Sequence, residues 1–153
     1  MAADRAPFGN GRRIVDNTFR VRYAETDAMG VVHHASYLVW FEVGRTEYTR
    51  AMGLPYREVE EDGVRLVVIE AHAEFKRAAR YDDLIVVRTT VGEVSKATLT
   101  FRYEVRLQSD DTLLASGYTV HAATDLAGRV QRMPERVRTV LMGAVTAGVG
   151  KRP

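Results

Sequence analysis

The run Tyr37, Leu38, Val39, Trp40, Phe41 most constrains what this chain can fold into. Five consecutive bulky apolar residues, continued by Val43, Tyr48, Ala51 and Met52, predict a helix that begins at about 34–36 and runs to about 52. Gly53 supplies its stop, with Pro55 two residues later. A surface helix carries one apolar stripe, whereas a helix apolar nearly all round must be buried. The expectation is therefore a central helix wrapped by the rest of the chain.

The rest reads as strands. Phe19, Val21 and Tyr23 alternate with Arg20 and Arg22, which predicts a half-buried strand over 18–24. Val67, Ile69, Ala71, Ala73 and Phe75 alternate with Glu70, His72, Glu74 and Lys76. A turn at 80–83 leads into a β-branched run over 84–94. Leu99, Phe101, Tyr103, Val105 and Leu107, led by Ala97, then share one face of a strand whose other face is polar. A hairpin turn at 109–111 returns the chain into 114–126, with Leu114, Tyr118, Val120 and Ala122 at period two. A short helix is expected after Pro134. Strands joined by hairpins are antiparallel, so the class is α+β, one sheet wrapped around one long helix.

Length sets the scale: 153 residues predict one domain, spanning 14–143, with a disordered lead-in over 1–13 and a flexible tail over 144–153. A formal net charge of +2 calls for neither a nucleic-acid partner nor a membrane surface. The absence of cysteine removes thiolate nucleophiles, disulfides and thiolate-held metals. Residues 1–13 lack the apolar core of a secretory signal, and no apolar run reaches the ~20 residues of a membrane helix. The expected compartment is the cytoplasm.

Chemistry concentrates at 27–37. Asp27 lies in a polar loop after a strand, Gly30 permits a tight turn, and a helix begins near His34. The first N–H groups of a helix have no intrahelical partner and suit developing negative charge on a carbonyl oxygen. A carboxylate and an oxyanion donor thus flank one short loop beside an apolar helix, the parts that acyl transfer requires.

The stretch 23–37, with Asp27, Gly30, Val32, His34 and Tyr37, closely resembles the signature of the 4-hydroxybenzoyl-CoA thioesterase-like family of hotdog proteins. The likeness is nearest to the Tol–Pal-associated bacterial acyl-CoA thioesterases. Trp40, Phe41, Glu42 and Arg45 continue the match, and 77–83 fits the family's turn between strands. The resemblance spans about 18–142. It implies a hotdog fold, an acyl-CoA substrate, Asp27 as catalytic carboxylate and the backbone N–H of His34 as the group that polarises the thioester carbonyl. It also implies a homodimer or homotetramer with the acyl pocket between subunits. Ser36 departs from the family's usual asparagine, but serine suits a first helical turn.

Alone, an aspartate before a glycine turn is more often a cap than a catalyst, and it is the strand-loop-helix context that reverses this. The His34 imidazole is a second catalytic candidate, beside its amide. Glu42 is expected to pair with Arg45. Tyr37, Trp40 and Phe41 could wall an acyl pocket or simply be core. Lys76, Arg77, Arg80 and Lys96 could meet CoA phosphates or be solvated strand ends. His33, His72 and His121 read as solvent, packing or interface residues. No metal-ligand spacing, phosphate loop or G-x-S-x-G elbow is present, so neither metal nor other cofactor is expected. Two rivals share the fold: a non-catalytic acyl-CoA-binding hotdog, and an enoyl-thioester hydratase, whose D-x-x-P-x-H context lacks its proline here.

Overall fold

The computed structural model describes residues 8, 9 and 11–150, with side chains as far as Met142. Most of the expected lead-in (1–7 and 10) and the last three residues of the expected tail lie outside the described residues. The elements in chain order are β1 (Ile14–Arg20), a 3-10 turn (Tyr23–Glu25), α1 (His34–Ala51), α2 (Tyr56–Glu61), β2 (Arg65–Phe75), β3 (Leu84–Val94), β4 (Thr98–Leu107), β5 (Leu113–Thr124) and α3 (Glu135–Gly150). The five strands form one antiparallel sheet in the order β1-β3-β4-β5-β2, with α1 against one face. This is the α+β hotdog architecture that the sequence implied.

The core forms where α1 meets β3 and β4. Tyr37, Trp40, Phe41, Gly44 and Tyr48 recur at helical spacing and are buried. Phe41 stacks on Tyr103, with ring centroids 4.2 Å apart. Two glycines let the helix lie this close. A Cβ on Gly44 would collide with Thr89 Oγ1 and lie 2.9 Å from Val87, and one on Gly117 would meet the His72 carbonyl and lie 2.8 Å from the Phe41 ring.

Four expectations change. First, α1 is not wrapped all round: Leu38, Val39 and Val43 are exposed, because one sheet covers only one side of a helix. Second, β1 begins four residues earlier than expected and the chain leaves the sheet at Val21. A cross-strand pair, Arg88 Nε to Asp16 Oδ1 at 3.0 Å, stands where apolar alternation would have marked the start. Val21 instead bonds the β2–β3 loop, its N–H donating to Asp83 O at 2.9 Å.

Third, the alternation in β2 breaks at Ile69, where the register with β5 shifts by one residue between Val68 and Glu70. A bulge inverts the faces, so Leu66 and Val68 lie opposite the buried Ala123 and His121, while Val67 falls on the outer face. Fourth, the inward face of β5 is the small odd-numbered set Ala115, Gly117, Thr119, His121 and Ala123, opposite the buried residues of β4. Tyr118 and Val120 lie outward, Tyr118 stacking on His72. α3 starts directly after Pro134 and runs to Gly150, so the backbone of 144–150 is helical. α2 was not expected from the sequence. Among the described residues no helix is long and apolar enough to cross a membrane.

Candidate active site

The loop between the 3-10 turn and α1 is closed at its base by a bridge between Thr26 and Val32. Asp27 N–H donates to Val31 O at 2.9 Å and Gly30 N–H to Asp27 O at 2.9 Å. Gly30 takes φ of 79°, the left-handed region that glycine enters without strain. Asp27 is half-buried; its Oδ1 accepts from Met29 N–H at 2.8 Å, and its other oxygen has no hydrogen bond among the described residues.

Across the loop, His33 caps α1 with its ring: Nδ1 accepts from Ala35 N–H at 3.1 Å. This role was not anticipated from the sequence. His34 is the first residue of the helix, and its N–H has no acceptor among the described residues. Its ring stacks on His33, with centroids 4.4 Å apart, and is exposed. Asp27 therefore lies inside a clasped loop, and the His34 amide, without an acceptor among the described residues, follows two residues after the bridge that closes it.

Other candidates separate. Arg77 and Arg80 lie in the β2–β3 loop beside the Asp27 loop, where Val32 N–H donates to Ala79 O at 2.8 Å and Val31 bridges Arg80. Lys76 is nearby but paired, its Nζ 3.0 Å from Glu74 Oε1. Lys96 occupies the β3–β4 turn, at the far end of the 11-residue strand β3 and so about 35 Å away along it. Glu42 and Arg45 form the expected ion pair, loosely, at 3.9 Å, with the Glu42 side chain 69% exposed and that of Arg45 only 18%. Tyr37, Trp40 and Phe41 are core: Tyr37 packs on Phe75 and Trp40, and burial holds its phenol above the usual range.

Glu25 escaped the sequence reading. It is only 7% exposed, two residues before Asp27. Its Oε2 accepts from Trp40 Nε1 at 2.7 Å and its Oε1 from Arg22 N–H at 2.8 Å. The available signal was a carboxylate followed fifteen residues later by the chain's single tryptophan, whose indole N–H needs an acceptor when buried. Among the described residues no group of three His, Asp or Glu side chains converges as a metal site.

The fold, taken with its known relatives, is that of a hotdog-fold thioesterase. The chain belongs to the thioesterase-like superfamily, whose profile matches residues 21–141. A putative esterase of Aquifex aeolicus is 36% identical over 122 residues, covering 80% of this chain and 93% of its own. The acyl-CoA thioesterase YbgC of Haemophilus influenzae is 40% identical over 118 residues, covering 74% of this chain and 85% of its own. Among solved structures, a hypothetical protein from Thermus thermophilus superposes with a TM-score of 0.80 at 39% identity, covering 86% of this chain and 98% of its own.

Proposed function

We propose that this protein hydrolyses an acyl-CoA thioester to the free acid and CoA, with Asp27 as the catalytic carboxylate. The reading is carried by one observation: a half-buried Asp27 with an uncommitted oxygen and an acceptor-free His34 amide at opposite ends of one short, doubly tied loop. The resemblance of 23–37 to thioesterase signatures and the relation to an acyl-CoA thioesterase support it.

The thioester carbonyl oxygen accepts from the His34 N–H, with the positive end of the α1 dipole behind it. Losing one such donor typically raises a barrier by ~2.7–4 kcal/mol, so this is a major contribution. Asp27 either takes a proton from the attacking water or itself attacks the carbonyl to form an anhydride that water opens. In both routes the C–S bond breaks and the thiolate of CoA leaves and takes up a proton. Arg77 and Arg80, on the adjoining loop, meet the CoA phosphates, and the exposed Leu38, one turn beyond His34, offers the acyl group an apolar wall.

The enzyme acts as a homodimer or a pair of dimers. β2 is an edge strand, and Val67, Val68 and Ile69 along it are exposed. An edge strand that exposes three consecutive apolar residues is a surface that folded proteins cover.

Thiol release from acetyl-, hexanoyl-, palmitoyl- and benzoyl-CoA tests the reading. Turnover of at least one is expected, with a loss of ~10²-fold or more in Asp27→Asn. Equal rates for native protein and variant would remove Asp27 from the mechanism. Saturable binding without product would favour an acyl-CoA-binding protein instead.

A further inference from the structure

Resting on the assignment of Asp27 and the His34 amide as the reacting pair, we propose that Glu25 is a positioning residue that, through Trp40 and His33, holds the Asp27 loop in register with the first turn of α1. Buried carboxylates are rare unless they are held by donors, and Glu25 has three. Trp40 Nε1 lies 2.7 Å from Oε2, Arg22 N–H 2.8 Å from Oε1, and Arg22 Nη2 3.1 Å from Oε2. Its backbone is also committed: Glu25 O accepts from His33 N–H at 2.8 Å.

These bonds attach one residue to α1 at two heights. His33 is the cap immediately before His34, and Trp40 lies six residues beyond His34, about 9 Å further along the axis. Two anchors separated along a rigid helix fix both the distance and the tilt of the segment that holds them. From Glu25 the chain passes directly into the Thr26–Val32 bridge and then to Asp27. The path from helix body to Asp27 thus runs through two residues and no flexible span.

The site calls for a carboxylate. Trp40 and the Arg22 backbone present donors to two different oxygens of the same group. A glutamine offers one oxygen and one NH2, so it must set a donor against a donor on one side. Burial pulls the carboxyl's pKa up, but the bonds from Arg22 and Trp40, with the charge of Arg22, outweigh it and leave Glu25 below the usual glutamate range. It stays ionised at neutral pH, and charge-assisted bonds are the stronger kind.

The expected consequence is kinetic. Misplacing a catalytic group by about 1 Å can cost ~10²-fold in rate. On whichever acyl-CoA of the panel is turned over best, Glu25→Gln should lower kcat ~10-fold or more per folded molecule, with KM within about 2-fold. Trp40→Phe, which keeps an aromatic ring and removes only the indole donor, should lower kcat in the same direction. The double variant should be no slower than the slower single, because both changes break one link. Folded fraction, read by far-UV circular dichroism at the assay temperature against each variant's own unfolding baselines, normalises each rate and separates lost structure from lost positioning. Normalised kcat at the native value in both single variants, with Asp27→Asn inactive, overturns the positioning role alone. If Glu25→Gln does not fold, Trp40→Phe decides by the same criterion. No turnover by the native protein, or native-like turnover by Asp27→Asn, overturns the parent assignment and this one with it.

Discussion

His121, 1% exposed beneath α1, ties the stability of this protein to pH. Its Nδ1 lies 3.2 Å from Leu66 O, which can only accept, so the network assigns the proton to Nδ1. Nε2 then accepts from Thr119 Oγ1 at 2.8 Å, and Thr119 in turn accepts from the Tyr103 hydroxyl at 2.6 Å. A second proton would land on an already occupied Nε2, in a buried site that also feels the charge of Arg45. Burial first, and then Arg45, pull the pKa down to about 4, against 6.5 ordinarily. Between those values the unfolded chain binds the extra proton, so stability falls as pH falls through this window and is unaffected above it. The difference corresponds to about 3 kcal/mol at most. Urea midpoints from about pH 7 to about pH 4.5 should drop more steeply for the native protein than for His121→Gln. Parallel slopes would show that His121 does not titrate in this way.

Gly44 settles how closely α1 approaches the sheet at the level of elements. It lies over Val87 and Thr89 of β3, and the Thr89 hydroxyl, buried and without a hydrogen-bond partner among the described residues, occupies the space that a Cβ would need. Gly44→Ala removes a helix-weakening glycine, worth up to about 1 kcal/mol in favour of the variant. The collision works against it, since overpacking a filled core costs ~1–3 kcal/mol. The second effect prevails because Val87 is also fully buried and cannot yield. A lower urea midpoint is expected, and an unchanged or higher one would mean that the helix can lift without loss. Such contacts explain what the sequence revealed and what it concealed. The helix length, β3 and the buried face of β4 were legible because each rests on a local pattern of apolar residues. The inward face of β5 was not, because the small residues that admit Phe41 carry no hydrophobic signal. The reversal of β2 at Ile69 was equally hidden, since a bulge leaves composition unchanged. The loop at Asp27 and the helix start at His34 could be read because they are neighbours in sequence. The burial of Glu25 could not, because it depends on a tryptophan two helical turns into the next element.

On the scale of the whole molecule, the sheet ends in an edge strand with an exposed apolar triplet. Among the described residues β2 pairs with β5 alone, and its exposed Val67, Val68 and Ile69, between Arg65 and Glu70, border the open side of the strand. The opposite edge, β1, carries alternating exposed residues with Asp16 and Arg20 among them, the kind of charge that discourages pairing. If copies associate through β2, the native protein should sediment at twice its 17.1 kDa chain mass or a multiple of that. Ile69→Lys places a charge at the bulge on this edge, where the side chain is 58% exposed and the fold of one chain does not depend on it. The variant should keep its circular dichroism spectrum and shift toward the single-chain mass at micromolar concentration. Activity then discriminates between two arrangements. With an acyl pocket completed by the second copy, kcat/KM should fall in step with the dimer fraction and recover at concentrations that restore it. A monomeric variant with native kcat/KM would place the whole reaction within one chain, so that Asp27, the His34 amide and the wall at Leu38 would suffice without a partner.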